Sequence, residues 1–94
     1  MPVRLSDEEI ARALAGLAGW SREGDEIQKQ FTFPDFRGSI AFVNAVAELA
    51  EAANHHPDIS INYNRVSLAL TTHDVGGLSD SDVSLAAQIE RAAG

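Results

Sequence analysis

Cysteine is absent from the 94-residue chain. No disulfide framework can hold the fold, and no thiolate zinc site can form. Basic residues are also scarce. Seven Lys and Arg stand against fourteen Asp and Glu, a formal net charge of −7. The seven are dispersed, whereas phosphate binding needs clustered cations, so no nucleic-acid partner is expected. Long apolar runs are missing too, and nothing approaches the roughly 20 residues of a membrane span. The opening Met1-Pro2-Val3-Arg4-Leu5-Ser6-Asp7 has no apolar segment of the secretion-signal kind. A cytoplasmic protein without a membrane partner is the expectation.

What is present is ordinary for a globular protein: 45% apolar and 22% charged residues. The length allows one domain over residues 1–94. A domain this small buries only about 60% of the surface its unfolded chain exposes. Association with a second subunit is therefore expected to help.

Local signals give the element order. Ser6-Asp7-Glu8-Glu9 reads as a capping box, with Ile10, Leu14 and Leu17 following at helical spacing and Gly16 and Gly19 marking the end. Trp20 follows as a core anchor. Gly24-Asp25 marks a turn between two strands, and Ile27, Lys29, Phe31 and Phe33 alternate with polar residues in the second. Pro34-Asp35 opens a second helix. Its buried stripe is predicted at Phe42, Val46, Leu49 and Ala53, and it should stop near His55 or His56, ahead of Pro57. Ile59, Ile61 and Tyr63, then Val66, Leu68 and Leu70, alternate as two more strands around a turn at Asn64. After a loop at Val75-Gly76-Gly77-Leu78, Ser79 caps a last helix carried by Val83, Ala86 and Ile89 or Ala93. The fold class predicted is α+β: a four-stranded antiparallel sheet with three helices packed on one face, in the order helix-strand-strand-helix-strand-strand-helix.

Histidine occurs three times, as His55, His56 and His73. Imidazole is the side chain whose ordinary pKa lets it both give and take a proton near neutrality. His55 and His56 are predicted at a helix C-terminus, where the macrodipole favours imidazolium. Glu51 lies one turn before His55 and could orient it, or be only a solvated helix charge. Asp82 opens the last helix and could turn to the same hollow, or serve only as a helix-start carboxylate. One of the two adjacent histidines could equally be structural. Zinc would need convergent ligands, often at i, i+4; adjacent histidines without HExxH weigh against a metal. The lack of cysteine and of GxSxG weighs against a nucleophilic mechanism.

The run Glu51-Ala52-Ala53-Asn54-His55-His56-Pro57, with Tyr63, Thr72-His73-Asp74, Gly77-Leu78-Ser79 and Asp82, closely resembles the pterin-4a-carbinolamine dehydratase family. The likeness extends to Gly19-Trp20 and Phe31-Thr32-Phe33, so it spans nearly the whole chain. It implies the fold read above, and homodimers or homotetramers joined through sheet edges and helices. It also implies loss of water from 4a-hydroxytetrahydropterin to give quinonoid dihydropterin, a step in recycling tetrahydropterin for a pterin-dependent hydroxylase. No cofactor or metal is implied. Substrate contacts would fall on Asn54, His55, His56, Thr71, Thr72, His73 and Asp74. His55, His56 and His73 would be essential, with His55 as acid, His73 as base, His56 positioning the pterin, and Glu51 and Asp82 in support. Asn54 replaces an aspartate of some relatives and Asp74 a glutamate. Other relatives serve as dimerisation cofactors of a transcription factor or as assembly chaperones; members that abandoned catalysis would be expected to lose the histidines, which this chain keeps.

Overall fold

Ser6 starts the first helix as the sequence predicts, and its geometry in a computed structural model covering residues 2–93 is reciprocal. The Glu9 N–H donates to Ser6 Oγ at 3.2 Å, and the Ser6 N–H donates to Glu9 Oε1 at 2.9 Å. That backbone donor holds the Glu9 carboxyl below its usual range.

The elements are α1 (Asp7–Ala15), β1 (Ser21–Glu23), β2 (Glu26–Thr32), α2 (Phe36–Ala53), β3 (Asp58–Asn62), β4 (Arg65–Leu70), a 3-10 turn at His73–Val75, and α3 (Asp80–Ala93). The strands form one antiparallel sheet in the order β1-β2-β4-β3. Element order and sheet agree with the sequence prediction.

One face of the sheet makes the core. Ile27 and Phe31 of β2 and Val66, Leu68 and Leu70 of β4 pack with Trp20, Phe42 and Val46, and with Leu85, Ala86 and Ile89 of α3. Lys29 shares that face. Its stem lies along the core while its ammonium sits 4.7 Å above the Phe31 ring, donates to the Ala18 carbonyl at 2.9 Å, and pairs with Glu90. The Trp20 indole N–H also donates to Glu90, at 2.7 Å, which pins the end of α3 to the hairpin.

Three details depart from the periodicity reading. The buried positions of α2 are Ser39, Phe42, Val46 and Ala50, so Ala53 faces outward. In α3 they are Asp82, Leu85, Ala86 and Ile89; a carboxylate sits in the apolar stripe because its hydrogen bonds are made there. All of β3 is exposed, Ile59 at 40% and Ile61 at 37%. Both isoleucines oppose buried partners, Leu68 and Val66, yet β3 is an edge strand that the helices do not cover.

Turn chemistry places the site-bearing ends. Between β3 and β4, Tyr63 takes a positive φ of 53°, and its carbonyl accepts the buried Ser39 hydroxyl at 2.7 Å. The Asn64 amide donates to the Phe33 carbonyl at 3.0 Å, tying that turn to the end of β2. None of the helices described is long and apolar enough to cross a membrane.

Candidate active site

Helix α2 stops at Ala53 because Asn54 turns left-handed, at φ 50° and ψ 43°. Asn tolerates this conformation better than most residues. The Asn54 N–H closes onto the Ala50 and Glu51 carbonyls, and the His55 N–H donates to the Ala50 carbonyl at 3.0 Å. The reversal lifts His55 off the helical track, and this corrects the predicted helix end and with it the predicted pairing. Glu51 does not orient His55. It bonds His56, with Oε2 2.5 Å from Nε2, while His55 is carried toward the start of α3.

There His55 Nε2 lies 2.6 Å from Asp82 Oδ1. The Asp82 carboxylate is 0% exposed and the imidazole 14%. Oδ2 of Asp82 accepts the Ser79 N–H at 2.9 Å and the Thr72 hydroxyl at 2.8 Å. A buried carboxylate is tolerated only when it is so satisfied. The Thr72 and Ser79 hydroxyls are themselves 2.7 Å apart, and the Ser81 N–H donates to Ser79 Oγ at 3.1 Å. Asp82 is thus both the helix-start carboxylate and the partner of a histidine.

The N-terminal segment clamps this corner. The Leu5 N–H donates to the Leu78 carbonyl at 2.9 Å, the Val3 N–H to Asp80 Oδ1 at 2.9 Å, and the Asp80 N–H to the Val3 carbonyl at 3.2 Å. Thr72 bridges to Gly77 across the 3-10 turn. A side chain at Gly77 would press on the Arg4 guanidinium, whose Nε would lie 3.2 Å from the added Cβ. Glycine there lets the two segments close, which fixes Ser79 and, through it, Asp82.

His55, Asn54, Thr72, Asp74, Ser81 and Pro2 line an open hollow of about 380 Å³, within the roughly 300–1,000 Å³ typical of small-molecule sites. His73 and Thr71 line a second hollow of about 360 Å³ with Glu23, Asp25 and Glu26 of the β1–β2 hairpin. The Thr71 hydroxyl donates to the Asp25 carbonyl at 2.5 Å and ties that hairpin to the end of β4. His56 lines neither hollow, and its pair with Glu51 is exposed, at 57% and 75%. The expectation that the three histidines form one cluster is corrected: the imidazoles do not converge on one hollow but fall in separate settings, one on a buried carboxylate, one on an exposed carboxylate, one beside an acidic hairpin. A depression of about 450 Å³ over the sheet, lined by Gln28, Gln30, Ser60 and Ser67, contains no histidine. No three His, Asp or Glu side chains among the described residues are grouped to hold a metal.

Sequence reasoning missed Ser79 as a member of this network and the hairpin carboxylates beside His73. Ser79 had a signal, as a helix cap with aspartate three residues on. The hairpin had none, since its approach to His73 depends on the strand order.

Fold and site together define an α+β sandwich in which an imidazole, resting on a buried carboxylate, faces an open hollow. Comparison with known proteins narrows that class. The pterin 4 alpha carbinolamine dehydratase family model matches residues 3–92, and the chain belongs to this family. A Roseiflexus protein provisionally named pterin-4-alpha-carbinolamine dehydratase is 57% identical over 96% of this chain and 97% of its own. A Thermosynechococcus vestitus protein of the same provisional name is 53% identical over 99% of this chain and 98% of its own. Among solved structures, a transcriptional coactivator/pterin dehydratase from Brucella melitensis superposes with a TM-score of 0.94 at 34% identity, covering 98% of this chain and 100% of that one. A pterin dehydratase-like RuBisCO assembly factor of the alpha-carboxysome superposes at 0.66 with 25% identity, over 80% of this chain and 87% of that one.

Proposed function

We propose that the protein is a dehydratase that removes water from a 4a-hydroxytetrahydropterin, giving the quinonoid dihydropterin, by histidine acid–base catalysis without cofactor or metal. Family membership supports the reaction. The observation that carries the residue assignment is His55 held at 2.6 Å on the buried Asp82 while lining an open hollow.

In a carbinolamine the departing hydroxyl sits on a carbon bonded to nitrogen. The nitrogen lone pair expels it as the C–O bond breaks. An acid gives the leaving oxygen one proton, a base takes one N–H proton, and water is the sole product lost. Well-placed acids and bases contribute about 10² to 10⁴ each. A carboxylate can only accept, so Asp82 keeps the proton on Nε2 of His55 and leaves Nδ1 to exchange with substrate. In this reading His55, as imidazolium, is the acid that gives its Nδ1 proton, and His73 is the base, so the pterin spans the two hollows. His56, oriented by Glu51, positions the pterin from outside the hollows, with Asn54, Thr71, Thr72 and Asp74 along their walls.

The enzyme would act in the cytoplasm, restoring tetrahydropterin used by a pterin-dependent hydroxylase. It would work as a homodimer or homotetramer; the uncovered edge strand β3, with Ile59 and Ile61 exposed, is the support for association. The test is the rate at which purified protein dehydrates a synthetic 4a-hydroxytetrahydropterin. Turnover no faster than buffer contradicts the proposal.

A second reading is a non-catalytic binding role on the same fold. It is favoured by the two solved relatives, one described as a coactivator as well as a dehydratase and the other as an assembly factor. Recovery of a stoichiometric partner, unaffected by replacing all three histidines in a protein without dehydratase activity, would select it.

A further inference from the structure

We infer that Ser79 and Thr72 are positioning residues that set the tautomer of His55 through Asp82. The inference rests on the dehydratase reading only for its catalytic consequence. It follows from counting protons in a buried corner: Thr72 is 4% exposed, and Ser79 and Asp82 are 0% exposed.

Asp82 Oδ2 receives the Ser79 N–H at 2.9 Å and the Thr72 hydroxyl at 2.8 Å. A hydroxyl has one proton, and the carboxylate can only accept, so the Thr72 proton belongs to Asp82. The 2.7 Å contact between the two hydroxyls must then use the Ser79 proton. Ser79 Oγ in turn accepts the Ser81 N–H at 3.1 Å. Every bond in the chain therefore points one way, from the α3 backbone through Ser79 and Thr72 to Asp82. No buried side-chain nitrogen or oxygen among the described residues is left without a partner. Oδ2 is committed to two donors, and Oδ1 is left aimed at His55 Nε2, 2.6 Å away. The neutral imidazole must carry its proton on Nε2, which leaves Nδ1 as the nitrogen without one.

Thr72 thus lines the hollow without offering it a hydroxyl. Its effect on catalysis goes through Asp82, which distinguishes it from Asn54 and Asp74 on the same wall.

The network makes an unusual demand of Asp82→Asn. The amide oxygen must take the position of Oδ2, because the Ser79 N–H is fixed backbone and cannot become an acceptor. The amide NH₂ then faces His55 Nε2, which must accept, and the ring proton moves to Nδ1. Nitrogen-15 NMR of the histidine rings, recorded above their titration, reads this without substrate. The expected result is Nε2–H at His55 in wild type and Nδ1–H in folded Asp82→Asn. Nε2–H in both overturns the inference. Thr72→Val tests the hydroxyl separately: kcat should fall roughly tenfold, as for loss of a hydrogen bond to a charged group, with KM unchanged and Thr72→Ser restoring it. A raised KM at constant kcat, or no change in either, also overturns it. A tautomer that moves as expected in a protein without dehydratase activity would sink the reaction assignment and leave this one standing.

Discussion

His55 and Asp82 stand 27 positions apart in the chain, yet His55 Nε2 and Asp82 Oδ1 meet at 2.6 Å, joining the end of α2 to the first turn of α3. The contact is both a structural rivet and the pairing of an imidazole with a fully buried carboxylate. Its two consequences can be measured separately.

Asp82→Ala strands three donors at once: the Ser79 N–H, the Thr72 hydroxyl and His55. Removing one partner of a buried charged network costs about 3 to 5 kcal/mol. In a domain of this size that lowers the melting temperature by more than about 10 °C. Calorimetry or urea unfolding checks it; a loss below about 1 kcal/mol would mean the network contributes little.

Glu51→Gln should behave differently. The His56–Glu51 pair is 57% and 75% exposed, and such pairs contribute at most about 1 kcal/mol. Stability should therefore hold in unfolding curves. A fall in dehydration rate with unchanged stability would place His56 and Glu51 on the substrate, and an unchanged rate would remove them from the mechanism.

Asn54 separates backbone from side chain. Its left-handed φ of 50° costs a β-branched residue about 1 to 2 kcal/mol, so Asn54→Val should destabilise by about that much. Asn54→Gly should fold at least as well. Full dehydratase activity in Asn54→Gly would show that the side chain makes no productive contact with the pterin.

The α1 capping box gives a pH signature. The Ser6 amide lowers the Glu9 carboxyl pKa in the folded chain, so its contribution is present above the ordinary glutamate range. It is lost as pH falls through the lowered value. Protection of the α1 amides against hydrogen exchange should fall over that acidic window in wild type, and Glu9→Gln should remove the dependence. Identical exchange profiles for the two proteins would contradict the linkage.

Much of the fold was legible because its signals are local. Ser6 with Glu9, the Gly24-Asp25 turn, Pro34-Asp35 and the β4 alternation each need only a few residues to be read. What was not legible depends on tertiary placement. Whether Ile59 and Ile61 are covered depends on β3 lying at the sheet edge. The pairing of Glu51 with His56 rather than His55 depends on a left-handed turn at Asn54, and Pro57 alone drew attention to a helix stop two residues later. Asp82 reads equally as a helix-start charge or as a site residue in the sequence, because no pattern of polarity reveals that three donors await it indoors. The distribution of His55 and His73 between neighbouring hollows is set by the 3-10 turn, a feature with no sequence period.

The most direct measurement is the dehydration rate of a synthetic 4a-hydroxytetrahydropterin with wild type, His55→Ala and His73→Ala, each verified as folded. The account predicts clear acceleration by wild type and a drop of about 10² or more in each variant. Wild-type acceleration that survives loss of His55 would contradict it.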